Sequence, residues 1–292
     1  MILAISGQAL SRRKPLDQIC ALFNRLDVRW IELWAPNVPG GAPTLRVPEC
    51  RYEGRDVSKA RDILNAHGIG VACVTMDGAF TADIVAQPDD YFAALKKTVD
   101  VAVALNAKLV NNYCYHFALG RDADITPLID VLRPAATYAK DRGVTLVLEN
   151  EAHDASGVVD GMLKILEAVG SDAMKTNFDP ANYYQATEEP FPNAYFRLKD
   201  FIAYVHLKNG CIYNPAIHPE EGRRGTLTGR PGEQYMYYPP FPFGAFNIGA
   251  FIEQLQRDRY QGFCTLEPHV PPHRLEEYYE IEVADARRRG IE

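Results

Sequence analysis

Eight short apolar runs of β type alternate with stretches of helical spacing along this 292-residue chain. Such alternation predicts βαβ units, and therefore a parallel sheet covered by helices. The first four runs fall at 2–6, 30–34, 70–75 and 108–112, with helices predicted over 16–26, 57–66, 89–105 and 124–141. Four more fall at 144–149, 175–179, 201–206 and 262–267, with helices predicted over 158–169, 193–199, 249–257 and 275–288. Eight repeats favour a closed (β/α)8 TIM barrel over an open doubly wound sheet, and barrels of about 250 residues commonly form one domain. No Gly-x-Gly-x-x-Gly follows the first run, which weakens a dinucleotide-binding reading. The expected fold class is α/β, as a single domain over 1–292.

One segment breaks the rhythm. Between 209 and 247, after the seventh strand, there is no convincing helix. Turn residues and charges surround the aromatic run Tyr235-Met236-Tyr237-Tyr238-Pro239-Pro240-Phe241-Pro242-Phe243. Loops this long are usually functional or disordered, and the aromatics supply apolar area that argues against disorder. A lid or interface loop over the strand C-termini is expected here. An oligomer contact accommodates the length equally well.

The last four strands each end in a metal-ligating type of residue: Glu149, Asp179, His206 and Glu267. Strand C-termini converge on the active-site face of a barrel. Three carboxylates and one imidazole meeting there suit a hard or borderline divalent cation. Each residue alone has an ordinary use: Asp179, followed by Pro180, is a good helix N-cap in any protein, and a lone His206 reads as a satisfied structural histidine. The ordered set of four carries the argument.

The net charge of −7, without a Lys/Arg cluster to offset it, argues against a nucleic-acid partner. No apolar stretch approaches the roughly 20 residues needed to cross a bilayer, and no signal sequence is read at the start, so a cytoplasmic location is expected. Six scattered cysteines without a CxxC pair do not read as a disulfide framework. Cys73 and Cys264, inside apolar runs, read as small buried hydrophobes.

Leu-Glu-Asn at 148–150, Asp179 in Phe-Asp-Pro-Ala-Asn, His206 in Val-His-Leu-Lys and Glu267 in Leu-Glu-Pro together resemble the xylose isomerase-like superfamily of sugar isomerase/epimerase TIM barrels. Its members include ketose 3-epimerases, inosose dehydratases and the catalytic subunits of C-glycoside deglycosidases. The resemblance spans nearly the whole chain. It implies that Glu149, Asp179, His206 and Glu267 bind one Mn²⁺, with Mg²⁺ or Co²⁺ as alternatives. It also implies that Glu32, in Ile-Glu-Leu-Trp, faces the substrate.

Lys208 lies two residues beyond His206, where strand alternation turns it toward the same mouth. His116, after the fourth strand, reads equally as a substrate contact and as an ordinary loop histidine. The family often places a His three residues after the Asp ligand, whereas this chain has Asn182 in that substrate-side position. The common Lys-Asp after the His ligand is Lys208-Asn209, and the aromatic segment replaces a short Gly-rich loop.

A chelated carbonyl acidifies its neighbouring C–H, and two carboxylates such as Glu149 and Glu267 can remove and return the proton. The first expected function is therefore a metal-dependent isomerase or epimerase of a keto-sugar or polyol, working through an enediolate. The second is a lyase with the same site, either a dehydratase or an enzyme eliminating the aglycone of a 3-keto-C-glycoside. The third is a non-catalytic scaffold barrel. The expected partners are a small carbohydrate or glycoside and further subunits, either copies of the chain or a second protein, with no membrane.

Overall fold

The computed structural model describes residues 1–11, 13–40, 51–76, 84, 87–114, 124–223, 227 and 234–292. Along the chain run β1 Ile2–Ser6, α1 Leu16–Arg25, β2 Trp30–Trp34, α2 Val57–His67, β3 Gly70–Thr75, α3 Pro88–Ala104 and β4 Leu109–Asn112. There follow α4 Thr126–Lys140, β5 Thr145–Glu149, α5 Val159–Val169, β6 Met174–Phe178, α6 Pro180–Gln185, α7 Tyr195–Leu198 and β7 Ile202–Leu207. The last elements are β8 Cys211–Ile212, α8 Pro219–Arg223, β9 Met236–Tyr237, α9 Ile248–Arg257, β10 Phe263–Leu266 and α10 Leu275–Arg288. Eight strands close a barrel in the order β1-β10-β7-β6-β5-β4-β3-β2, and every adjacent pair is parallel. This is the expected (β/α)8 TIM barrel.

The apolar runs became strands because a covered parallel strand is buried on both faces. A main core lies between strands and helices, where α1 buries Leu16, Ile19, Cys20 and Phe23 at three- and four-residue spacing. A second, smaller cluster of Ala4, Ala72, Cys73, Val147 and Tyr204 fills the barrel interior. Cys73 and Cys264 are fully buried, and the five cysteines of the described residues are free thiols. Helix ends follow local chemistry: the Asp56 carboxylate caps α2 through Lys59 N, and Gly68 closes it at φ 65°. Among the described residues, no helix is long and apolar enough to cross a membrane.

Two expectations need correction. A single helix was expected over 193–199, but β6 leads directly into α6, and only α7 falls within that range. Asp179 capping a helix with Pro180 at its first position was the local signal for α6. The 209–247 segment was expected to lack a helix, yet it carries α8 and an antiparallel pair, β8 with β9. Two-residue strands and a five-residue helix are too short to leave a hydrophobic period.

The aromatic segment is fastened at two points. Asn209 Nδ2 donates to the carbonyls of Phe241 and Phe246, both at 3.0 Å. A Cβ at Gly244 would stand 2.0 Å from Asn209 Cγ, so only glycine admits this approach. An aspartate at 209 would aim a charged acceptor at two carbonyls, so the departure from Lys-Asp follows from the inserted segment. On the other side, the Phe241 amide donates to Glu282 Oε1 of α10 at 3.0 Å, while Glu282 Oε2 has no hydrogen-bond partner among the described residues.

Burial pushes the Glu282 carboxyl from its ordinary 4.5 up to about 8, against the lowering effect of the Phe241 amide. A raised carboxyl pKa means that the folded chain holds its proton while the unfolded chain releases it. Wild-type stability should therefore fall as pH rises from about 4.5 to about 8, and Glu282→Gln should remove that part of the slope. Urea midpoints at pH 5 and pH 8 test this. Equal wild-type and variant changes across the window would refute it.

Candidate metal centre

The four ligand-type residues come from four adjacent strands or their ends, β5, β6, β7 and β10, so they share one half of the barrel mouth. One ligand atom from each of Glu149, Asp179, His206 and Glu267 lies within 4.8 Å of all the others, and all four residues are buried. His206 Nδ1 stands 3.2 Å from Glu149 Oε1, 3.5 Å from Glu267 Oε2 and 4.0 Å from Asp179 Oδ2.

Asp179 divides its carboxylate. Oδ1 accepts from the amides of Ala181 and Asn182 and so caps α6. Oδ2 turns to the cluster, where among the described residues it has no aligned hydrogen-bond donor, although Lys208 Nζ is 2.6 Å away. The ordinary capping use and a ligand use are thus compatible, one oxygen each. A buried carboxylate oxygen paired with an ammonium but without an aligned hydrogen bond, facing an imidazole nitrogen and two further carboxylates, is a fitting place for a divalent cation.

Amides hold Glu149 in place. Its Oε2 accepts from Asn111 Nδ2 at 2.8 Å and Asn177 Nδ2 at 3.2 Å, leaving Oε1 toward His206. Asn182 Nδ2 donates to the Asn150 carbonyl at 2.9 Å and stands 3.5 Å from Glu149 Oε1. Asn150 is fixed in turn by Asp179, donating to its carbonyl and accepting from its amide. Asn111 and Asn177 were missed by reading strand ends alone. Their signal was an amide placed within a buried strand, where a polar side chain must find a partner.

Lys208 is buried with its ammonium 2.8 Å from Glu267 Oε2 as well as 2.6 Å from Asp179. His269 Nε2 stands 3.4 Å from the same Glu267 oxygen. Tyr238, from the inserted segment, roofs both side chains: its ring centre is 5.8 Å from Lys208 Nζ and 5.1 Å from the His269 ring. Met236 and Tyr238 pack on Ala181, so β9 and the residue after it lie over the start of α6. Tyr235 and Phe243 of the same run are exposed.

The charges tune one another. Burial raises the Asp179 carboxyl; Lys208 opposes this, but the Glu149 and Glu267 charges help keep it above its ordinary value. Burial also works against ionisation of Glu267, yet Lys208, His206 and His269 hold it well below the usual range. For Lys208, burial is outweighed by Asp179 and Glu267, so the ammonium form is strongly favoured. His206 behaves likewise, its imidazole held well above the ordinary value by Glu149, Glu267 and Glu32 despite burial.

Glu32, expected on the substrate side, is fully buried behind the imidazole. Its Oε2 lies 3.0 Å from His206 Nε2, and its Oε1 accepts from the Thr75 hydroxyl. His116 lies outside the described residues.

A family model described as xylose isomerase-like TIM barrel matches residues 21–286. No curated protein matches the chain. Among solved structures, the chain is similar to 3-keto-D-glucoside 4-epimerase from E. coli, at 14% identity and a TM-score of 0.69, covering 99% of each chain. It is similar to the probable 3-DHS dehydratase from Bacillus anthracis, at 16% identity and TM-score 0.69, covering 97% of this chain and 98% of that one. A third is a xylose isomerase-like TIM barrel protein from Mycobacterium smegmatis in complex with magnesium, at 17% identity and TM-score 0.68, covering 98% and 97%. Likeness at these identities establishes the fold and no more.

Proposed function

The chain belongs to the xylose isomerase-like TIM-barrel family, and on that premise we propose that it is a divalent-metal-dependent isomerase or epimerase of a keto-sugar or polyol. The observation that carries this reading is the convergence of Glu149, Asp179, His206 and Glu267 at one buried point. These four would hold the ion, and Mn²⁺ best suits three carboxylates with one imidazole. When bound, the ion supplies the positive charge that acidifies a C–H next to a carbonyl.

The chain's own residues do the rest. Glu149 and Glu267 sit at the two ends of the ligand-bearing strands, with β6 and β7 between them. Glu149 takes a proton from the carbon next to the carbonyl, and on the other side Glu267 relays one to carbon from the Lys208 ammonium beside it, the proton on Glu149 then leaving to solvent. Lys208, fixed beside Glu267, binds a substrate oxygen, and Tyr238 above it excludes water. Asn182 keeps Glu149 oriented while facing the same space. The buried ammonium also favours a second reading as a lyase, because Lys208 could protonate a departing oxygen.

The test is solvent exchange. Metal-loaded protein is incubated in D2O with a panel of 2-ketohexoses and 3-keto-glucosides, and NMR follows deuterium entering beside the carbonyl. The reading expects exchange that EDTA abolishes and Mn²⁺ restores, with a new stereoisomer for epimerisation or a released fragment for elimination. Protein that takes up no divalent ion would instead support the scaffold reading.

A further inference from the structure

We infer that Glu32 is a positioning residue that fixes the His206 ring, holding a proton on Nε2 so that the Nδ1 lone pair is presented to the cation. This rests on reading the four-residue cluster as a cation site. The imidazole has two faces of different chemistry. On one edge, Nδ1 points at Glu149, Glu267 and Asp179 at 3.2, 3.5 and 4.0 Å. On the other, Nε2 meets Glu32 Oε2 at 3.0 Å, with both side chains completely buried.

An ionised carboxylate can only accept, so it demands N–H at Nε2. A neutral imidazole with its hydrogen there has its lone pair on Nδ1, on the side where the other ligand atoms converge. Asn177 does not compete for this choice. Its Nδ2 is 3.2 Å from Nε2 and 3.4 Å from Nδ1, nearly equidistant, which places it over the ring rather than in the plane of either lone pair. Its amide hydrogens have acceptors in Glu149 Oε2 at 3.2 Å and Asn111 Oδ1 at 3.3 Å.

Glu32 is itself held. It ends its reach three strands round the barrel from β7, with β1 and β10 between, and Thr75 of β3 donates its hydroxyl to the other carboxylate oxygen. Ring and carboxylate therefore lock each other before any ion arrives. Carboxylates placed behind ligating histidines are generally worth 10–100-fold in metal affinity, so the same change is expected here without any contact between Glu32 and the ion.

The experiment titrates Mn²⁺ into metal-stripped full-length wild type, Glu32→Gln and Thr75→Val, reading the free-ion EPR signal. Far-UV circular dichroism and thermal melts of each metal-free protein check the fold. Binding should weaken about 10–100-fold in Glu32→Gln and by a smaller factor in Thr75→Val, which keeps the carboxylate. In Zn²⁺-loaded, ¹⁵N-histidine-labelled protein, a downfield N–H proton coupled to Nε2 of His206 is expected in wild type and should move upfield in Glu32→Gln. A merely structural role would not move that signal. Wild-type affinity in a folded Glu32→Gln, or a proton found on Nδ1, overturns the role of Glu32 alone. A flat titration of wild type itself overturns both this role and the cation site.

Discussion

Glu149→Gln is expected to lower turnover by about 10³-fold at saturating Mn²⁺, within the range that a positioned general base contributes. Glu149 Oε2 accepts two amide hydrogens, from Asn111 and Asn177. A glutamine will keep its own oxygen there, because its NH2 cannot face two donors. The NH2 must then replace Oε1, the atom facing His206 Nδ1 and the other ligands. The variant therefore loses its base and puts a donor where an acceptor is needed, while side-chain volume and the inner hydrogen bonds persist. Its melting temperature without metal should stay near wild type, so the loss reads as chemistry and ion binding rather than unfolding. The measurements are metal content by elemental analysis and deuterium exchange per bound ion. A fully loaded variant that exchanges within tenfold of wild type would remove Glu149 from the proton-transfer step.

The barrel and its four ligand-type residues were legible because both depend on short-range pattern. A covered strand is a continuous apolar run, and β1, β2 and β3 fall on the residues expected from sequence. A polar residue closing such a run stands out, and the topology brings β5, β6, β7 and β10 side by side. The position of Glu32 was not legible in this way. Whether it faces a substrate or the back of an imidazole depends on which side chain fills the space three strands away. The inserted segment was hidden for another reason. Its order comes from individual tertiary bonds, Asn209 to two carbonyls and Glu282 to one amide, and single bonds between distant residues leave no period. Asn209 itself was visible as a departure, but its cause became clear only once Phe241 and Phe246 were seen to lie against it.

Lys208→Met should destabilise the metal-free protein by about 3–5 kcal/mol, the usual cost of breaking a buried ion pair from one side. Four carboxylates, Glu32, Glu149, Asp179 and Glu267, crowd around His206 and Lys208, and the Lys208 ammonium is the group that stands between Asp179 and Glu267. Methionine fills much of the lysine's volume, so cavity formation adds little and charge dominates the result. Without the ammonium, Asp179 and Glu267 repel each other in a buried site. A divalent ion supplies the missing charge, and binding to the folded state alone stabilises by mass action. Mn²⁺ should therefore bind the variant more tightly than wild type and raise its urea midpoint by the larger amount, recovering much of the initial loss. The two titrations, with and without Mn²⁺, separate this from a simple packing defect, which the ion would not repair. Equal Mn²⁺-induced gains in the two proteins would mean that Lys208 and the ion do not share the same carboxylates.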